Sequence, residues 1–327
     1  MAMNVLYIAS EPMLEPYYGD LLEAAGELCT VSLYDFDRPL ESQFSGIDVV
    51  VEHGGVYQTP EMIDAGVAAG VRLWQVTATG LDHVNIADFL TRGMPLANMP
   101  GPVSTAIPMA EHALLLMLAL SRKLLESRRS FEERVLNLPM NTELYGKTLG
   151  LIGLGASGRA LVHRASALGM QVIAVDTVEV PEEAREALGI QFFGGADEVD
   201  RVLAEADYVS LHVPLAADTR HLIDERALAL MKPTAYLINV ARGDLVDDAA
   251  LLDALESGRL AGAGLDAIAG EPVEPSHPLL QLDTVIATPH NGVVTRELSR
   301  RRAQLVAEQV KRIAESREPL YRVTAVP

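Results

Sequence analysis

Along the chain, short runs of β-branched and aliphatic residues alternate with stretches whose apolar positions recur every three to four residues. The runs at 5–9, 31–34, 49–52, 73–76, 149–152, 172–175, 208–211, 235–239, 262–266 and 285–287 predict strands. Between them, 61–69, 158–168, 199–206 and 249–257 carry a helical period, and 295–316 reads as an amphipathic helix closing the chain. The strand runs are apolar at consecutive positions. Strands of that kind, alternating with helices, belong to parallel sheets covered on both faces. The pattern therefore predicts an α/β, doubly wound parallel-sheet class. The longest unbroken apolar run, residues 113–120, is short of the roughly 18–20 residues that span a bilayer. The opening MAMNVLYIAS has no basic segment before its apolar residues, so it reads as a first strand and not as a signal peptide.

Two breaks interrupt this rhythm. MPGPVSTAIP at 99–108 is turn-rich and opens an apolar helix running through Leu120, and a second break falls near Asn291-Gly292. Residues 1–98 with 292–327 are accordingly expected to form one domain and residues 99–291 the other, so that the chain crosses between them twice. Clefts between domains are favoured places for ligands.

Composition narrows the partners. The net charge is −19 and the pI about 4.8, which sets nucleic acid and anionic membranes aside, since both ask for a basic face. The single cysteine, Cys29, sits in the strand-like stretch LCTVSLY and reads as a small buried apolar residue. One cysteine allows no internal disulfide, which fits a reducing cytoplasm. His53, His83, His112, His163, His221 and His277 show no metal-ligand spacing with Cys or acids, so no metal is expected. Glu111-His112, inside the apolar helix, reads as a packing or interdomain hydrogen-bond feature.

Residues 149–160, LGLIGLGASGRA, place G-x-G-x-x-G between a strand and a helix. Gly153 permits the tight turn, Gly155 lets backbone approach a pyrophosphate, and Gly158 lets helix and strand pack closely. The amides of Ala156 and Ser157 would face the phosphates, helped by the helix dipole. The next strand run ends at Asp176, where an acid should bind the adenosine ribose hydroxyls. No Arg or Lys follows in Thr177-Val178-Glu179-Val180 to meet a 2′-phosphate, so NAD is expected rather than NADP.

Three later strand ends carry polar chemistry. In AYLINVARGDLVDD, Arg242 follows an apolar strand, and Asp247 or Asp248 caps the next helix. An arginine there suits a substrate carboxylate held bidentately, the alternative being an ion pair with one of the chain's many acids. AGAGLDAIAGEP brings Asp266 to a strand end and Glu271 to a turn before Pro272, where a solvated loop acid is the alternative. TPHNG sets His290 after a rigid proline at the open end of a buried strand.

The ordered set GKTLGLIGLGASG, HVPLAADTRHLID, MKPTAYLINVARGDLVD, GAGLDAIAGEP and TPHNG resembles the D-isomer-specific 2-hydroxyacid dehydrogenases, with a looser match through ATGLDHVN, NMPG and AEHALLLMLAL. The resemblance implies a Rossmann cofactor domain inserted into a flavodoxin-like substrate domain, NAD as cofactor, and a homodimer formed through the middle domain. It puts Arg242, Glu271 and His290 at the catalytic positions. Reduction of a 2-keto acid needs a proton at the carbonyl oxygen, which His290 can donate. Glu271 would favour the imidazolium, and Arg242 would hold the substrate carboxylate. The resemblance also implies cofactor contacts at His212, Pro214, Thr219, Val240, Ala241, Asp266 and Gly292, His212 being equally readable as structural. The Thr79 and Gly80 amides would bind the substrate carboxylate. The chain departs from the family at Ala156 and Ser157, where a larger pair is common, and in the 101–110 loop, where Ser104 and Thr105 receive no role.

The loops at 52–58 and 76–83 contain no Arg or Lys, so the expected substrate is a small 2-keto acid with an uncharged tail, of glyoxylate, hydroxypyruvate or pyruvate type. Adjacent His53-Gly54-Gly55 would leave room and one polar group. A phosphoglycerate dehydrogenase is disfavoured by the missing cation and by the chain ending after its closing helix. An NAD-sensing co-repressor of the same fold stays as the alternative, although long tails are absent. Formate dehydrogenase is disfavoured because that branch has glutamine where Glu271 stands.

Overall fold

The computed structural model describes residues 3–10, 14–54 and 57–326. In chain order its strands are β1 (Met3–Ile8), β2 (Cys29–Leu33), β3 (Val49–Glu52), β4 (Leu73–Val76), β5 (Leu96–Ala97), β6 (Thr148–Ile152), β7 (Gln171–Val175), β8 (Ile190–Gly194), β9 (Tyr208–Leu211), β10 (Tyr236–Asn239), β11 (Gly262–Leu265), β12 (Val285–Ala287) and β13 (Arg322–Val323). They form two sheets, one in each of two compact units: Met1–Thr105 with Val294–Pro327, and Ala106–Val293.

The first unit has the strand order β13-β5-β4-β3-β1-β2, parallel except for the antiparallel β13 at its edge. Apart from β13 this is the 2-1-3-4-5 order of flavodoxin-like sheets, whose order reverses between β1 and β3. Every residue of β3 and β4 is buried, as continuous apolar runs require when helices cover both faces. One face packs Leu6, Val50, Trp74 and Phe89; the other packs Val5, Val49 and Leu73 against Val306 and Val310 of the helix Arg296–Ala314. The second unit has the order β12-β11-β10-β9-β6-β7-β8, all parallel, which is the 3-2-1-4-5-6 order of dinucleotide-binding sheets with one strand added. The helix Ala106–Ser121 buries Ala110, Ala113 and Leu116 in the same cluster as Leu161, Val162 and Ala165.

The sequence pattern erred at the edges. β5, β8 and β13 were not expected: β5 and β13 are two residues long, and β8 is an edge strand whose residues are none of them buried. Cys29 lies on an edge of the first unit's sheet, in β2, and is half-buried rather than buried, because an edge strand has a neighbour on one side only. Residues 99–105 belong with the first unit, not with the apolar helix they precede. Their polar groups turn back onto 78–79: the Met99 amide donates to the Ala78 carbonyl (3.0 Å), and Thr79 Oγ1 donates to the Met99 carbonyl (2.8 Å).

Candidate active site

The glycine loop after β6 divides its work among three glycines. Gly153 has φ 99°, in the left-handed region, and a Cβ there would lie 2.5 Å from the His212 carbonyl oxygen. A Cβ on Gly158 would lie 2.4 Å from the Gly153 carbonyl oxygen, so this glycine is what lets the helix Ala156–Ala167 close onto the loop. At Gly155 a Cβ would meet nothing within 4 Å. That opening lies at the first turn of the helix, where no side chain caps the amides. Amides and dipole together make such an end a ready anion site. The residues present therefore fit a dinucleotide pyrophosphate.

The expected adenosine-side residues are spent partly on the loop itself. Asp176, just past β7, accepts from the Leu154 amide (2.6 Å) and the Val178 amide (2.8 Å), so it shapes the glycine loop. His212 bridges Ser157 Oγ and Ser210 Oγ, both at 3.0 Å, and burial pushes its imidazole down to about 4, so it is neutral. Thr219 Oγ1 donates to the Pro214 carbonyl and accepts from the Ala216 amide, both at 2.8 Å, closing the loop after β9. Val240 is buried, and the Ala241 amide donates to Asn239 Oδ1 (3.1 Å).

Arg242 follows β10 directly. Its carbonyl accepts from Asn239 Nδ2 (2.8 Å), its Nη1 donates to the Ala241 carbonyl (2.9 Å), and the next helix is capped by Asp247. Glu271 is held by the Ile268 amide on Oε1 (3.0 Å) and meets His290 Nδ1 with Oε2 at 2.6 Å. That hydrogen bond raises the His290 imidazole above its ordinary value, against the opposing effects of burial and of the Arg242 charge. The structure thus brings His290 and Glu271 into contact, with Arg242 near enough to act on the imidazole.

His290 is held in a costly conformation. Its φ is 51°, unusual for a residue with a Cβ, and its amide donates to the Asp266 and Thr288 carbonyls, both at 2.9 Å. Beneath it, Asp266 is 1% exposed and accepts from Thr288 Oγ1 (2.6 Å), the Asn291 amide (3.0 Å) and the Gly292 amide (3.0 Å). Burial pushes this carboxyl up, but hydrogen bonds from His112, Thr288 and Gly292 outweigh it and hold it below its ordinary value. His112 Nε2 is 2.8 Å from Thr288 Oγ1 and 3.3 Å from Asp266 Oδ1. A Cβ on Gly292 would strike Asp266 Oδ2 at 2.7 Å, so glycine is needed there for the loop to close on the acid. Asp266, His112 and Gly292 thereby position the histidine, a role for His112 that its place in an apolar helix did not reveal. Its neighbour Glu111 pairs with Arg164 at 2.9 Å.

In the other unit, Thr79 and Gly80 follow β4. Among the described residues neither amide has an acceptor, leaving two donors beyond a strand's carboxyl end. Thr79 Oγ1 also meets Ser104 Oγ and Thr105 Oγ1, each at 3.0 Å, so the two hydroxyls left without a role brace this turn. The inference of an uncharged substrate tail rested on loops without a cation. The fold supplies one from elsewhere: Arg302, on the C-terminal helix, lines the same recess as His53. Gly55, expected to widen that loop, lies outside the described residues. Among the described residues no group of His, Cys, Asp and Glu could hold a metal, and no helix is long and apolar enough to cross a membrane.

Residues 114–292 match the family model for the NAD-binding domain of D-isomer specific 2-hydroxyacid dehydrogenases. The chain is 35% identical over 295 residues to a D-3-phosphoglycerate dehydrogenase of Methanocaldococcus jannaschii, covering 90% of this chain and 54% of that protein. It thus spans about half the length of that relative. It is 37% identical over 257 residues to a glyoxylate reductase of Korarchaeum cryptofilum, covering 76% of this chain and 75% of that one. The NAD-complexed D-isomer specific 2-hydroxyacid dehydrogenase of Lactobacillus delbrueckii ssp. bulgaricus superposes with a TM-score of 0.81 at 29% identity, over 98% of this chain and all of that one. With the glycine cradle and the His290–Glu271 pair in place, these likenesses settle the lineage: the chain belongs to the D-isomer specific 2-hydroxyacid dehydrogenases, and its second unit is their NAD-binding domain.

Proposed function

We propose that the protein interconverts a small 2-keto acid with an uncharged tail, of glyoxylate, hydroxypyruvate or pyruvate type, and its D-2-hydroxy acid. The observation that carries this reading is the 2.6 Å contact between His290 and Glu271 at the rim of an NAD-binding domain. NAD, when bound, supplies the hydride chemistry, and the residues that would hold it are Gly155, Ala156, Ser157 and Asp176. In reduction the imidazolium of His290, kept charged by Glu271, donates its proton to the carbonyl oxygen; in oxidation the neutral ring takes the proton back. Arg242 and the Thr79 and Gly80 amides would take the substrate carboxylate.

Relatives named for reductase and dehydrogenase activities give no support to a co-repressor. The homodimer belongs to this proposal: Leu124, Leu125, Phe131, Leu136, Met140 and Tyr145 of the second unit are exposed, the kind of apolar surface a second copy covers. So does the cytoplasm, which the single cysteine and the acidic charge fit.

The test is NADH oxidation over a panel of 2-keto acids, run beside NADPH. Turnover of short 2-keto acids with NADH, and weaker turnover with NADPH, is the expected result. Stoichiometric NADH binding with no turnover on any of them would overturn it.

A further inference from the structure

The dinucleotide cradle carries a row of side chains whose purpose its backbone amides do not explain. Ser157 is the second residue of the helix Ala156–Ala167, beside Gly155 at the end suited to an anion. It is also a position where this chain departs from the larger pair common in its family. Its Oγ lies 3.0 Å from His212 Nδ1, and His212 Nε2 lies 3.0 Å from Ser210 Oγ. Among the described residues neither hydroxyl has another hydrogen-bond partner.

The direction of this row follows from where its hydrogens can go. Burial holds the His212 imidazole down at about 4, so the ring is neutral: one nitrogen carries a hydrogen and the other accepts. Ser210 lies inside β9 and is 0% exposed, so its O–H cannot turn to solvent, and its available acceptor is His212 Nε2. A ring with its hydrogen on Nε2 would leave the Ser210 O–H buried without an acceptor, and an orphaned buried donor costs more than an unused lone pair. An imidazolium would leave the same orphan, since both of its nitrogens donate. The hydrogen therefore sits on Nδ1 and donates to Ser157 Oγ. That frees the O–H of the half-buried Ser157 to donate elsewhere, and among the described residues it has no acceptor.

We infer that Ser210 and His212 are positioning residues that turn the Ser157 hydroxyl into a donor for a phosphate oxygen of the bound dinucleotide, beside the Ala156 and Ser157 amides. The inference rests on NAD binding by this unit and not on the choice of keto acid. The histidine gives the row its direction without adding a charge, and the serine adds a side-chain donor where the backbone alone would otherwise hold the anion.

The experiment has two readouts on the full chain, neither of which depends on turnover. In nitrogen NMR of histidine-labelled protein, with His212 assigned by its loss in His212→Gln, the wild-type ring is expected to be fixed with its hydrogen on Nδ1. In Ser210→Ala that preference is expected to weaken, and the two ring-nitrogen shifts to move toward each other. A wild-type ring protonated on Nε2, or averaged between the two forms, overturns the inference. In fluorescence titration with NADH, Ser157→Ala is expected to raise Kd roughly tenfold. Ser210→Ala is expected to raise it about threefold and to add nothing in the Ser157→Ala background, because both act through one hydroxyl. An unchanged Kd in Ser157→Ala, full additivity in the double variant, or a wild-type chain that binds no NADH overturns it as well. With the ring fixed and the titrations as expected, a keto-acid panel without turnover would count against the proposed reduction alone.

Discussion

His290 and His53 each stand just past the carboxyl end of a parallel strand, one in each unit, and their surroundings act on them in opposite directions. His290 is more than a third exposed and bonded to Glu271, which raises its pKa. His53 is buried, bonded to a phenol and set near a guanidinium, and its pKa falls to about 4. The same side chain is thus biased toward its charged form in one place and is a neutral hydrogen-bonding group in the other. Strand-end position gives access to a ligand; the partner and the degree of burial decide whether the ring carries charge.

The largest effect should come from removing the ring proposed to move the proton. His290→Ala is expected to lower kcat for keto-acid reduction by roughly 10²–10⁴, with NADH affinity near normal by fluorescence titration. His53→Gln, which removes a ring that is already neutral, should change kcat far less. A comparable kcat loss in His53→Gln would erase the distinction.

The next effect is on stability. A histidine with a depressed pKa binds fewer protons folded than unfolded. Below its ordinary value near 6.5, acid therefore works against the fold, and the penalty is complete below the folded pKa of about 4. Between these limits His53 should cost roughly 3 kcal/mol, read as the extra loss in urea-unfolding free energy on acidification that wild type shows and His53→Gln lacks. His290 runs the other way: its raised pKa contributes stability that is present below the ordinary value and lost as pH rises through the folded one.

The smallest effect is a displacement in pH. Glu271→Gln removes the main cause of the raised His290 pKa, so the alkaline fall in reduction rate should begin at a lower pH. Its loss of kcat below that fall should be smaller than in His290→Ala. An unmoved alkaline limb would show that another group sets it.

Much of this was legible from the residues. The glycine motif could be read with each glycine's separate duty, because φ 99° at Gly153 and the close contacts of Gly158 are backbone needs that few residues but glycine meet. Arg242 and His290 stood out because each follows a short apolar run, whereas Glu271, in a turn beyond one, was singled out by the family resemblance. The edge strands β5, β8 and β13 were not, since their length and exposure leave little hydrophobic signal. His112 was hidden too: its helix is apolar over most of its turns, and only the fold shows that its ring faces Thr288 and Asp266.

By itself the sequence determined the alternation of buried strands and helices, the dinucleotide loop and the polar residues at three strand ends, because those follow from periodicity and local backbone geometry. Only the tertiary structure decided which charge meets which. It joined Glu271 to His290, sealed Asp266 beneath them, and carried Arg302 from the last long helix to a loop read as having no cation. The physical reason is that burial and through-space charge depend on distance in the fold, and spacing along the chain does not encode that distance.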